Sequence, residues 1–202
     1  LSRASFTKPE NQIFRGGLRP TGLLLSRFSR LNAERFTNTG EMDLGAGAAI
    51  ESGLLTNAVG ALLEITPSDG NLETVVLADG LDNQGEMQVL DRGYIATLQN
   101  MSFQGSGSLE IVISAATLGT TRPRIGAQQT LFANGPLRVT AANGFLPAAG
   151  DGFRLFLTPA TQGKWKTLTL PALAPGSVWD LSTLYTDGIL RVVAEAEPDA
   201  DQ

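Results

Sequence analysis

Leu184-Tyr185-Thr186-Asp187-Gly188-Ile189-Leu190-Arg191-Val192 is the stretch whose reading decides the fold. Asp187-Gly188 predicts a tight turn, after which Leu190 and Val192 face the same way along a strand. The same grammar recurs upstream. An apolar residue stands four before a glycine, and apolar residues follow two and four after it, as in Phe36-Gly40-Met42-Leu44 and Leu81-Gly85-Met87-Val89. Phe103-Gly107-Leu109-Ile111 and Leu131-Gly135-Leu137-Val139 are further copies. Looser ones sit at Gly22, at Gly60 (followed by Leu63 and Ile65) and at Gly163 with Trp165 two residues on.

Taken together these glycines recur every 18 to 28 residues. A period of this size marks a repeat architecture and is too short for a propeller blade of about 40–45 residues. It fits one coil of a parallel β-helix, built from a few short strands and turns. The expected chain is therefore all-β, a β-solenoid of about seven to eight coils with a C-terminal cap. Stacking would align Met42, Met87, Leu109, Leu137 and Leu190 in one interior row. Leu44, Val89, Ile111, Val139 and Val192 would form another. Asn38, Asn83, Asn134 and Asp187, beside or near the turn glycines, are expected to bond their own local backbone. The expected organisation is an arm or imperfect first coil at 1–22, the solenoid at 23–193 with its cap at about 144–193, and an acidic tail at 194–202.

Composition agrees with strands and turns. Of 202 residues 23 are glycine, and charged residues make up 17 % where about 25 % is usual. Cysteine is absent, which removes disulfides and thiolate metal sites and is compatible with an extracellular protein. Histidine is also absent, which removes Ser-His-Asp hydrolysis and the commonest metal ligand. The net charge of −5 weighs against a nucleic-acid partner. Its distribution is polar: residues 1–35 carry +5 and the remainder −10. No apolar run approaches the ~20 residues of a membrane span. The chain opens on Leu1 with no signal-peptide pattern, as expected of a mature form or an excised fragment.

Residues 131–193 carry Gly144-Phe145, Pro147-Ala148-Ala149-Gly150-Asp151-Gly152-Phe153, Leu170-Pro171-Ala172-Leu173, Val178-Trp179-Asp180 and Leu184-Tyr185-Thr186-Asp187-Gly188. This combination resembles the C-terminal end of autotransporter-associated β-strand-repeat proteins and of related secreted bacterial β-helix proteins with PEP-CTERM-type sorting tails. The resemblance implies a right-handed parallel β-helix, secreted or on the bacterial cell surface, with a structural or adhesive role. Neither a translocator barrel nor an apolar sorting helix follows Val193 in this sequence.

Chemistry-bearing residues are sparse. Asp79, Asp82, Glu86 and Asp91 lie close in sequence, with Glu41 and Asp43 at comparable positions earlier. Clustered carboxylates could serve acid–base or calcium-assisted polysaccharide chemistry, but alternation makes them read as outward polar residues. Arg122-Pro123-Arg124 reads as loop decoration. Calcium repeats, EF-hands, P-loops and dinucleotide fingerprints are missing, as are Thr-x-Thr arrays for ice binding. No catalytic, cofactor or metal residues are nominated. Trp165, Trp179, Tyr94 and Tyr185 could stack on sugars, but read first as cap packing.

The expected function is a non-enzymatic extracellular structural protein, a subunit of a surface fibre, sheath or matrix. Head-to-tail self-association would match the basic N-terminal end to the acidic C-terminal one, where six acids follow residue 170 against Arg191. Ile13, Phe14, Arg15 and Arg19 at one end and Trp179, Tyr185 and Asp187 at the other are the expected interface. An adhesin or glycan-binding module recognising a cell-surface polymer is the alternative, with a polysaccharide-active enzyme third.

Overall fold

The computed structural model describes residues 5–7, 12–14, 23–25, 30–45, 49–66, 75–77, 79–91, 93–116 and 124–196. Strands before residue 34, and those at 49–52 and 75–77, are described through their backbone pairing. The described residues form strands and turns without a helix.

Three parallel ladders organise them. The first runs through Ser5–Thr7, the leading halves of Arg30–Asn38 and Ala49–Asn57, then Val75–Leu77, Ile95–Thr97, Ile125–Ala127 and Phe156–Leu157. The second runs through Gln12–Phe14, the trailing halves of the same two strands, then Gly80–Asn83, Met101–Phe103, Thr130–Ala133 and Ala160–Gln162. The third comprises Leu23–Leu25, Glu41–Leu44, Leu62–Ile65, Glu86–Val89, Ser108–Ile113, Pro136–Ala141 and Thr167–Thr169. The chain thus passes through the ladders in a fixed order, placing each strand beside its counterpart from the previous pass. Two nine-residue strands bridge the first and second ladders into one sheet.

Alternation supplies the core. In the third ladder Met42, Leu63, Met87, Leu109 and Leu137 lie in register and are buried, as are Leu44, Ile65, Val89, Ile111 and Val139. The second ladder adds Phe36, Leu55, Leu81, Met101 and Leu131. All belong to one apolar cluster. Each strand is too short to hide its own apolar side chains, so burial depends on the neighbouring passes.

A second row inside the core is polar. Asn38, Asn57 and Asn83 are in register and buried. Asn38 Nδ2 donates to Asn57 Oδ1 at 2.8 Å, and Asn57 Nδ2 donates to Asn83 Oδ1 at 2.7 Å. The Nδ2 atoms of Asn38, Asn57 and Asn83 also donate to the carbonyls of Leu62, Glu86 and Ser108, respectively, at the start of the third ladder. The local bonds expected of Asn38 and Asn83 also form, to Gly40 N and Gly85 O. The larger role of these side chains is to tie successive passes together where the chain turns from the second ladder to the third. The row then becomes apolar at Phe103 and Ala133.

In the second ladder Met101, not Phe103, continues the Phe36–Leu81 row, because the turn after Phe103 is longer. One expected alignment is corrected. Leu190 and Val192 do not extend the Met42 and Leu44 rows. The next residue after Leu137 is Leu168. Ile189–Ala194 instead lies antiparallel between Gly152–Arg154 and Ser177–Asp180. The periodicity of buried side chains is the same in both settings, so it specifies which residues turn inward but not the neighbour they join. This three-stranded sheet meets the last strand of the first ladder, where Gly188 O accepts from Leu155 N at 2.8 Å and Phe156 N at 3.1 Å. Trp165 is buried between Phe103 and Phe156, with ring centroids 5.4 and 5.6 Å away.

Candidate functional site

Turn length shapes the outer surface of the second ladder. Two residues separate Asn38 from Glu41, Asn83 from Glu86 and Ala133 from Pro136, whereas four separate Asn57 from Leu62 and Phe103 from Ser108. The two longer turns carry Gly60 and Gly105 at φ of 79° and 62°, a region that favours glycine. Val59 in the first of them is 70 % exposed. On the opposite corner Asp79 and Gln99 stand on neighbouring passes, with Gln99 N donating to Asp79 O at 2.7 Å.

Between these walls lies a groove of about 560 Å³. Its floor is the outward side of three adjacent strands, including Leu54, Asp82 and Ser102. No side chain fits at Gly53 on its edge, because a Cβ there would lie 2.7 Å from Glu34 O and 3.3 Å from Asp79 Oδ2. Gln84 Nε2 donates to Asp82 Oδ2 at 2.7 Å, fixing that carboxylate. Ser106 Oγ donates to Gln84 O at 2.9 Å, and Asn100 Oδ1 accepts from Thr130 N at 3.1 Å. Ser102 Oγ is closed to solvent and has no hydrogen-bond partner. Leaving such a hydroxyl unmet costs about 1–3 kcal/mol. The outward row continues from Ser102 to the half-buried Phe132 on the next strand.

The carboxylates that lie close in sequence do not converge on one point. Asp79 and Asp82 line the groove. Glu86 stands on the third ladder, its Oε1 accepting from Gln88 Nε2 at 2.8 Å, and shares an outward row with Glu41 across Leu62. Asp43 accepts from Thr66 Oγ1 at 2.9 Å. Asp91 pairs with Arg124 at 2.9 Å and accepts from Ser114 Oγ at 2.5 Å. Arg124 is buried, so the expectation that it decorates a loop is corrected; Arg122 and Pro123 lie outside the described residues. Among the described residues no three carboxylates gather as a metal site would require.

Of the expected interface, Ile13 and Phe14 lie in the strand paired with Thr37 and Asn38, leading the second ladder. Arg15 and Arg19 lie outside the described residues. Trp179 is half-buried, 5.9 Å from the Phe153 ring, and donates from Nε1 to Pro171 O at 3.1 Å. Tyr185 packs half-buried against the core, while Asp187 is exposed. The structure therefore groups Trp179 and Tyr185 on the core side of the capping sheet, at the other end of the ladders from Ile13 and Phe14. Trp165 is closed to any sugar by its own packing. Sequence reasoning missed Gln99, Asn100, Ser102 and Gln104 as a lining set. The available signal was the extra pair of residues containing Gly60 and Gly105.

No helix among the described residues is long and apolar enough to cross a membrane. No protein-family model, curated protein or solved structure matches the chain.

Proposed function

We propose that the ladders wind as a right-handed β-solenoid of about seven to eight coils and that the protein is a non-enzymatic structural subunit of a bacterial surface fibre, sheath or matrix, assembling head-to-tail. The observation that carries this reading is the pair of ladder ends at Ala160–Gln162 and Thr167–Thr169, beyond which no further described strand pairs. The capping sheet reaches the Phe156–Leu157 strand of the first ladder, but both of these other end strands alternate exposed and half-buried residues. An uncovered strand edge is a template for another chain. At the opposite end Ser5–Thr7, Gln12–Phe14 and Leu23–Leu25 lead the ladders, and a second copy could add them in parallel. The +5 charge of residues 1–35 favours contact with the acidic C-terminal end. Glu86 and Asp91 stand away from the groove that Asp79 and Asp82 share, so the four carboxylates do not converge, which favours a role without catalysis.

Electron microscopy and sedimentation velocity test the assembly. Filaments or concentration-dependent oligomers are expected, weakening in high salt and on removal of residues 1–22. Monomers at all concentrations, with or without those residues, would sink the reading.

A further inference from the structure

We propose that the groove on the second ladder is a binding site for a neutral, hydroxyl-rich glycan lying along the stacking direction. This inference is independent of filament formation, since one chain supplies the whole groove.

Shape is the first argument. The floor crosses three adjacent strands, and stacked strands repeat at about 4.8 Å. A linear pyranose chain advances by a similar distance per ring, so successive rings would meet equivalent positions on successive strands. The volume of about 560 Å³ lies in the range of small-ligand sites.

Chemistry is the second. Asp79 and Asp82 accept hydrogen bonds, the amides of Gln99 and Gln104 both donate and accept, and Ser106 adds a hydroxyl. That set matches sugar hydroxyls. Among the described residues no Lys or Arg lines the groove, and the carboxylates of Asp79 and Asp82 would repel uronates, sulfates and phosphates. Leu54 and Val59 offer apolar contact to the CH faces of a ring, and Phe132 extends that surface on the next strand.

Isothermal titration with maltohexaose, mannohexaose and cellohexaose, and with hexagalacturonate as the anionic counterpart, tests the site. At least one neutral oligosaccharide should bind saturably, at least about tenfold more tightly than hexagalacturonate. Asp82→Ala and Gln99→Ala should each weaken that binding by about tenfold. Gln99 is exposed, so its replacement leaves the fold intact even if loss of the Asp82–Gln84 contact does not. Failure of every neutral probe to bind at up to about 10 mM, binding indifferent to both substitutions, or a preference for hexagalacturonate would overturn the proposal. So would binding that chitosan and polylysine oligomers share and that about 0.5 M salt abolishes, since that pattern marks charge alone.

Discussion

Asn57 Nδ2 donates to Asn83 Oδ1 at 2.7 Å in the interior, where both residues are buried. Asn57 is the middle member of its row: it also accepts from Asn38 and donates to Glu86 O. Its removal therefore affects both neighbours. Asn57→Ala leaves the Asn38 amide without one acceptor and Asn83 Oδ1 without its donor, at a cost of about 2–4 kcal/mol. Urea unfolding should show a lower midpoint with a similar slope. Asn134→Ala, at an exposed turn position, should change the midpoint little.

Gly107 and Gly135 sit where successive turns approach most closely. A Cβ on Gly107 would overlap Asn83 O, and one on Gly135 would overlap Gly107 O. Backbone atoms cannot retreat cheaply there, so Gly107→Ala should destabilise by about 2 kcal/mol or more. Gly60→Ala meets no atom within 4 Å but sits at φ 79°, and should cost only about 1–2 kcal/mol from backbone strain. Thermal melting of the two variants separates steric overlap from conformational preference.

Arg124 is buried against a partly exposed Asp91, which also holds Ser114. Breaking such a pair from one side leaves an uncompensated charge. Asp91→Leu should therefore cost about 3–5 kcal/mol, whereas Asp91→Leu with Arg124→Met should recover most of that loss. A double-mutant cycle in urea measures the coupling. Additive single losses would mean that the ion pair contributes nothing beyond packing.

Asp180 provides a pH handle. Its carboxylate accepts from Ser182 N at 2.9 Å. That backbone bond, then the Ser182 hydroxyl and more weakly the Arg191 charge, hold its pKa below the usual carboxylate value. A carboxyl depressed in the folded state stabilises above its unfolded pKa of about 3.9 and loses that contribution as pH falls through the folded value. Asp180→Asn should therefore lower stability at neutral pH, with the gap from the parent closing in acid. Melting curves from about pH 7 to about pH 2 check this; a gap that widens in acid contradicts it.

Much of the core was legible because a strand declares its buried side by alternation alone. Met42, Met87, Leu109 and Leu137 align as their spacing from glycine implies. The asparagine row was only half legible. Turn residues near glycine ordinarily bond locally, and the bonds from Asn38 to Asn57 to Asn83 exist only once separate passes lie beside one another. The groove was less legible still. Asp82 and Ser102 become neighbours through register, and counting back from Gly85 and Gly107 misplaces them by the two residues added to the second turn.

The stretch at 184–192 marks the boundary between the two kinds of information. Its sequence determined a turn at Asp187-Gly188 and a strand with Leu190 and Val192 buried, because those are local consequences of glycine and alternation. Only the tertiary structure decided that the strand runs antiparallel beside Gly152–Arg154 and Ser177–Asp180 rather than stacking on the third ladder. The physical reason is that apolar burial is non-directional. It rewards hiding Leu190 and Val192 against any complementary surface, and the choice of surface belongs to the packed ensemble of strands.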